Sequence, residues 1–295
     1  MRLGIFTHYF PHPIEEAAER IRRLGFGSVQ LNTEFPDWAL TPRSTAAECR
    51  RVGRMFEDRG LAIAAIAGYR NPVAIDAGQR RANMDHLKLL LDLANDLGSP
   101  MVSTESGSMH PTDDWGPCPE NDSDDAMLRL IDSVGELATH AERAGSVILI
   151  EPGVGNILDR PSKVLRLGAA IDSAAFGFVA DWPNLVDGDT FDQSRAVLSA
   201  MTEPLAGRIR LAHIKDACRF DGTPREIHHH PADPALYGNM EYPAAGLGSL
   251  DLAAYTDWLA GVGYDGDLIV EHLQESDVPA ALATVRSLLP ANRSL

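Results

Sequence analysis

The chain has 295 residues, 44% of them apolar and 23% charged, which is ample material for a full core and rules out a disordered polymer. Its 42 acidic and 26 basic side chains give a net charge of −16, which argues against nonspecific binding to a nucleic-acid backbone but not against a small anionic ligand. No run reaches the roughly 20 apolar residues of a membrane span, and the opening MRLGIFTHYFPHP lacks the apolar core of a secretion signal. The three cysteines, Cys49, Cys118 and Cys218, are odd in number and far apart, as suits a reducing compartment. The expectation is a cytoplasmic enzyme with neither nucleic acid nor membrane as partner.

Short apolar segments alternate with longer amphipathic ones along the whole chain. Leu3 to Thr7 reads as a strand, and Ile14 to Leu24 as a helix with Ala17, Ala18, Ile21 and Leu24 at helical spacing. Ser28 to Leu31 is a second strand. A helix from Thr45 to Arg59 precedes the apolar strand Leu61 to Ala67, and Asp76 to Leu97 is a long helix that ends at Gly98. Met101 to Thr104 and Ser146 to Ile150 read as strands on either side of a helix from Asp124 to Arg143. Then come a helix (Ser162 to Ile171), a strand (Phe176 to Ala180), a helix (Phe191 to Met201) and a strand (Arg208 to Ala212). A helix at Leu252 to Leu259, a strand at Leu268 to Val270 and a helix at Val278 to Leu289 close the chain. Regular βα alternation demands parallel strands with right-handed crossovers, and eight such units predict a single α/β domain over residues 1–295, a closed (β/α)8 TIM barrel. Two connections are long: Gly107 to Asp122 and Asp216 to Ser249. Both follow strands, so both fall on the C-terminal face of the barrel, as lids over a site or as plain disorder.

Four successive strands end in residues able to bind a metal. VILIEP supplies Glu151, FVADWPN supplies Asp181, LAHIKD supplies His213 and LIVEHL supplies Glu271. Any one of these alone is better read as a cap, a loop charge or a packed histidine. Four in the same relative place, on strands that converge on one axis, predict an oxygen-rich site for one divalent ion. Mn²⁺ comes first, with Mg²⁺, Co²⁺ or Zn²⁺ as alternatives.

With Ile148 to Pro152, Phe178 to Asn184, HIKD (His213 to Asp216), GLGSLD (Gly246 to Asp251) and GYDGDLIVE (Gly263 to Glu271), the whole chain resembles the sugar phosphate isomerase/epimerase family of xylose isomerase-like barrels. Ketose 3-epimerases, hydroxypyruvate isomerase, inosose-processing enzymes and, more distantly, endonuclease IV belong to that group. The resemblance implies that Glu151, Asp181, His213 and Glu271 bind the ion and that Glu151 and Glu271 flank the substrate as an acid/base pair. It also implies that Arg219, six residues past His213, contacts a substrate oxygen, and that a homodimer or homotetramer is the common assembly. The chain departs from the epimerases at Asn184, where they commonly carry histidine, and at Ile157, where they often carry glutamate; Asn156 offers an amide nearby.

The chemistry expected of such a site is proton transfer beside a carbonyl of a sugar or polyol. A cation stabilises the enediolate while one carboxylate removes the proton and another returns it, to the same carbon in an epimerase or to its neighbour in an isomerase. A dehydratase or lyase of an inosose or keto-glycoside starts with the same abstraction. An endonuclease IV-like repair enzyme, disfavoured by the charge, and a non-catalytic sugar-binding barrel are further alternatives. His8 and Glu105, at the ends of their strands, are candidate substrate contacts or structural groups. Trp182, with Trp115, Phe10 and Trp38, is a candidate pocket wall or core residue. Lys215 is read as neutralising a carboxylate or binding a substrate anion, or else as pairing with Asp216. The triplet His228, His229 and His230, with Glu226 and Asp233 near, reads as a solvated loop or a second metal site. Gly246 and Gly248 read as shaping a loop.

Overall fold

A computed structural model describes residues 1–222 and 238–289. Eight parallel strands close into a barrel: β1 (Arg2–Phe6), β2 (Ser28–Leu31), β5 (Ala62–Ala67), β6 (Met101–Glu105), β7 (Val147–Glu151), β8 (Phe176–Ala180), β9 (Ile209–Ile214) and β12 (Asp267–Val270). The seam is β1 against β12, in register from Arg2 opposite Asp267 to Ile5 opposite Val270. Each of the eight strands expected from the sequence lies in the barrel. The strands are apolar and almost wholly buried, as a parallel sheet covered by helices requires.

The covering helices are α1 (Ile14–Leu24), α2 (Ala46–Glu57), α3 (Ala77–Leu97), α4 (Asp124–Ala144), α5 (Pro161–Ala170), α6 (Ser194–Ala200), α7 (Thr202–Leu205), α8 (Leu252–Gly261) and α9 (Val278–Leu288). Polar side chains set where they begin. Thr45 and Glu48 form a reciprocal capping box on α2, while Asp76, Ser123 and Asp251 accept from the first backbone N–H groups of α3, α4 and α8. Gly98 ends α3 with φ +98, a conformation that glycine adopts without a Cβ clash. Among the described residues, no helix is long and apolar enough to cross a membrane.

Several elements differ from the sequence expectation. The helix expected over 191–201 is a 3-10 turn (Phe191–Gln193) followed by α6, and α7 then carries Pro204 in its short turn. A small hairpin, β3 (Glu34–Phe35) with β4 (Trp38–Ala39), follows β2, and Asp37 at its tip accepts from the Ile14 N–H to hold the start of α1. The stretch expected to be irregular from 216 to 249 contains an antiparallel pair, β10 (Cys218–Arg219) with β11 (Met240–Glu241). The loop from 107 to 122 is packed: Asn121 accepts from Met109 N–H at 2.8 Å and donates to the Gly155 carbonyl at 2.8 Å. His228, His229, His230, Glu226 and Asp233 lie outside the described residues.

Candidate metal centre

Parallel strands of a closed barrel deliver their C-terminal ends to one mouth. Glu151 is the last residue of β7, Asp181 and Glu271 directly follow β8 and β12, and His213 is the penultimate residue of β9. Chain positions far apart in sequence therefore meet. One ligand atom from each of the four lies within 4.8 Å of the others, and all four residues are buried. His213 Nδ1 stands 3.3 Å from Glu271 Oε2, 3.5 Å from Glu151 Oε1 and 3.8 Å from Asp181 Oδ2.

The donor set fits a divalent cation. Both ring nitrogens of His213 are buried without a hydrogen-bond partner, and a buried imidazole in that state is costly unless something else coordinates it. Lys215, immediately after β9 and fully buried, donates to Asp181 Oδ2 and Glu271 Oε1. With the imidazole neutral, the form that can bind a cation, three carboxylates and one ammonium leave two negative charges, the amount one divalent ion cancels. Carboxylate oxygens with a single imidazole match Mn²⁺, Mg²⁺ or Co²⁺ better than a thiolate-built zinc site.

Surrounding groups hold the carboxylates in place. Asn184 Nδ2 donates to Glu151 Oε1 at 2.6 Å, and Tyr69 Oη donates to Glu151 Oε2 at 3.1 Å while accepting from Gln30. Burial raises the Asp181 carboxyl to about 6 although Lys215 opposes it. For Glu271 burial acts in the same sense, but the charges of His213 and Lys215 outweigh it and hold the group well below the usual carboxylate range. Glu105, opposite Glu151 in the β6–β7 ladder, is pushed up to about 8, first by burial and then by the charge of Glu151; it accepts from Asn156 Nδ2 at 2.7 Å.

Beside this cluster lies a cavity of about 70 Å³, bordered among others by Glu105, Trp115, Asn156, Asn184, Tyr242 and His272. Glu105, Asn156, Asn184 and Lys215 therefore gather with the four ligand candidates. The other candidates do not. Arg219, in β10, is exposed, with its guanidinium 3.0 Å from Asp192 Oδ2, 3.0 Å from the Gly188 carbonyl and over the Phe191 ring, rather than toward the cluster. Trp182 is buried against Tyr255 and donates through Nε1 to the Ser194 carbonyl, so it packs the barrel wall toward the helices while Trp115 borders the cavity. His8 is itself exposed, in the 3-10 turn after β1 between buried Thr7 and Tyr9, with its ring beside Phe6 and Tyr9. Asp216 does not pair with Lys215; it accepts from the backbone N–H groups of Ala217, Gly246 and Leu250.

Tyr69 and His272 were not expected from the sequence. Tyr69 stands two residues past β5, in the same relative place as the acidic candidates, and its position was the available signal. His272 was hidden by its neighbour Glu271.

A family model described as a xylose isomerase-like TIM barrel matches residues 18–289. The chain belongs to this family. No curated protein matches it. Similar solved structures include a 3-keto-D-glucoside 4-epimerase from E. coli (17% identity over 97% of this chain and 99% of that one, TM-score 0.69). A D-psicose 3-epimerase in the presence of D-fructose is 15% identical over 98% of this chain and 99% of its own, with TM-score 0.69. A family protein from Mycobacterium smegmatis in complex with magnesium is 18% identical over 98% and 94%, with TM-score 0.69. In a fusion of such a barrel with a 4-hydroxyphenylpyruvate dioxygenase, the chain spans 42% of that protein's length at 20% identity and TM-score 0.72. At these identities the likeness is one of fold.

Proposed function

We propose that this xylose isomerase-like barrel is a divalent-metal-dependent isomerase or epimerase of a sugar or keto-sugar, working in the cytoplasm. The observation that carries the reading is the convergence of Glu151, Asp181, His213 and Glu271 beside a cavity bordered by amides and aromatic rings. These four side chains hold the cation, with Mn²⁺ as the first assignment on the oxygen-rich set. Bound there, a divalent ion supplies Lewis-acid stabilisation of negative charge on a substrate carbonyl oxygen.

The remaining work belongs to the chain. Glu151 and Glu271 move the proton at the carbon beside the carbonyl, one removing it and the other returning it. Asn184 and Tyr69 fix both oxygens of Glu151, and Lys215 fixes one oxygen of Glu271, so neither carboxylate needs to reorganise during transfer. Asn156 and Trp115 border the cavity and orient the sugar through an amide and an aromatic face.

Incubation of Mn²⁺-loaded protein with ketoses in D₂O tests the reading. Turnover is expected to bring deuterium into the substrate, and Glu151→Gln or Glu271→Gln to reduce the rate by at least ~10²-fold. Turnover at normal rates in either variant would remove that glutamate from the mechanism.

A further inference from the structure

His272 follows the ligand candidate Glu271 and has a left-handed backbone, φ +56, a conformation that only a few per cent of non-glycine residues adopt, histidine more often than most. Both its backbone and its ring are bonded there. Its backbone N–H donates to Tyr9 Oη at 2.8 Å, and its ring Nδ1 lies 3.0 Å from the Tyr242 carbonyl oxygen. A carbonyl oxygen can only accept, so Nδ1 carries the proton in that bond, and the orientation of the ring follows. Tyr242 is itself fixed, donating through its hydroxyl to the Val186 carbonyl at 2.7 Å. The second ring nitrogen, Nε2, comes within 3.8 Å of Glu271 Oε1, and the residue borders the cavity with Trp115, Asn156 and Asn184. An uncommon backbone conformation kept at the wall of a candidate site, with the ring oriented by a residue of another loop, is the pattern of a positioned functional group.

We propose that His272 is a substrate-recognition residue whose Nε2 hydrogen-bonds a sugar hydroxyl next to the carbon that Glu271 serves. This rests on the functional reading above and adds to it the group that reads the hydroxyl.

Two variants separate the imidazole from the backbone. Asparagine and glycine both accept positive φ, so His272→Asn and His272→Gly remove the ring without straining the chain. Each Mn²⁺-loaded protein is titrated calorimetrically with D-fructose, D-tagatose and L-ribulose, and each metal-free protein with Mn²⁺ alone. Mn²⁺ affinity is expected to stay within about threefold of wild type, while ketose binding weakens about tenfold, the size of one lost hydrogen bond to a polar partner. Added imidazole is expected to restore part of the binding in His272→Gly, an effect that a merely structural role would not produce. Unchanged ketose binding in both variants overturns the inference and leaves the functional reading standing. A loss of Mn²⁺ affinity equal to the loss of ketose affinity also overturns it, because His272 would then only support Glu271. Wild-type protein that binds none of the three ketoses overturns the functional reading, and the inference with it.

Discussion

Lys215 sets the charge balance of the candidate centre. Removing one partner of a buried ion pair leaves an uncompensated charge and costs about 3–5 kcal/mol. Lys215→Met is therefore expected to lower the melting temperature of chelator-treated protein. Mn²⁺ should raise the melting temperature of this variant by more than it raises that of wild type, since the cation then stands in for the lost ammonium. Thermal scans in chelator and in Mn²⁺ read both effects, and an equal metal-induced shift in the two proteins would contradict the charge argument. At this scale the sequence carries the ligand candidates plainly. Glu151, Asp181, His213 and Glu271 each interrupt an apolar run at the same point of a βα unit, and that repetition is visible without coordinates. Side-chain direction is not visible. Arg219 and Trp182 stand close in sequence to ligand candidates, yet one turns to Asp192 and the other into the packing around Tyr255.

At the scale of elements, the HIKD and GLGSLD segments form one clasp. Asp216 leaves β9 and accepts from Gly246 N at 3.1 Å and Leu250 N at 3.0 Å, so the far end of the long loop is tied to its start. A Cβ on Gly248 would lie 2.4 Å from Asp216 Oδ1 and 2.6 Å from the Ala217 carbonyl oxygen, which explains the small residue there. Gly248→Ala is expected to destabilise the protein by about 1–3 kcal/mol, seen as a lower urea midpoint. Gly261→Ala, at the end of α8 with no neighbour within 4 Å of its Cβ, serves as the contrast and is expected to be neutral or slightly stabilising. Equal losses in the two variants would contradict the clasp. The barrel strands were legible because each is a short, continuously apolar run bounded by turn residues. The β10–β11 pair was not, because two strands of two residues, far apart in sequence, leave no periodic pattern. The break between α6 and α7 was hidden for a related reason: apolar spacing runs through Met201, and only Pro204 marks the change.

For the whole molecule, closure of the barrel is what brings the ligand candidates at the ends of β7, β8, β9 and β12 to one mouth. The β1–β12 seam carries a two-pronged ion pair, with Arg2 Nε and Nη2 at 2.6 Å and 2.9 Å from the two Asp267 oxygens. Arg2 is half-exposed, so the pair contributes only about 1 kcal/mol. It sits at the start of β12, the end opposite Glu271. Asp267→Ala is expected to lower the melting temperature by a few degrees and leave metal stoichiometry unchanged; a loss of bound metal would mean that the seam and the mouth are coupled. The fold was readable at this scale because eight βα units admit few topologies. The lining of the cavity was not, since side chains such as Trp115 and His272 meet there only through the packed loops.

Metal binding at the four strand ends is the property on which the proposed chemistry depends. Calorimetric titration of chelator-treated protein with Mn²⁺ measures this directly, alongside His213→Gln and Asp181→Asn variants shown by circular dichroism to be folded. One ion per wild-type chain, with affinity lost in both variants, is the predicted result. Folded wild-type protein that takes up no Mn²⁺, Mg²⁺, Co²⁺ or Zn²⁺, or variants that bind as tightly as wild type, would contradict it.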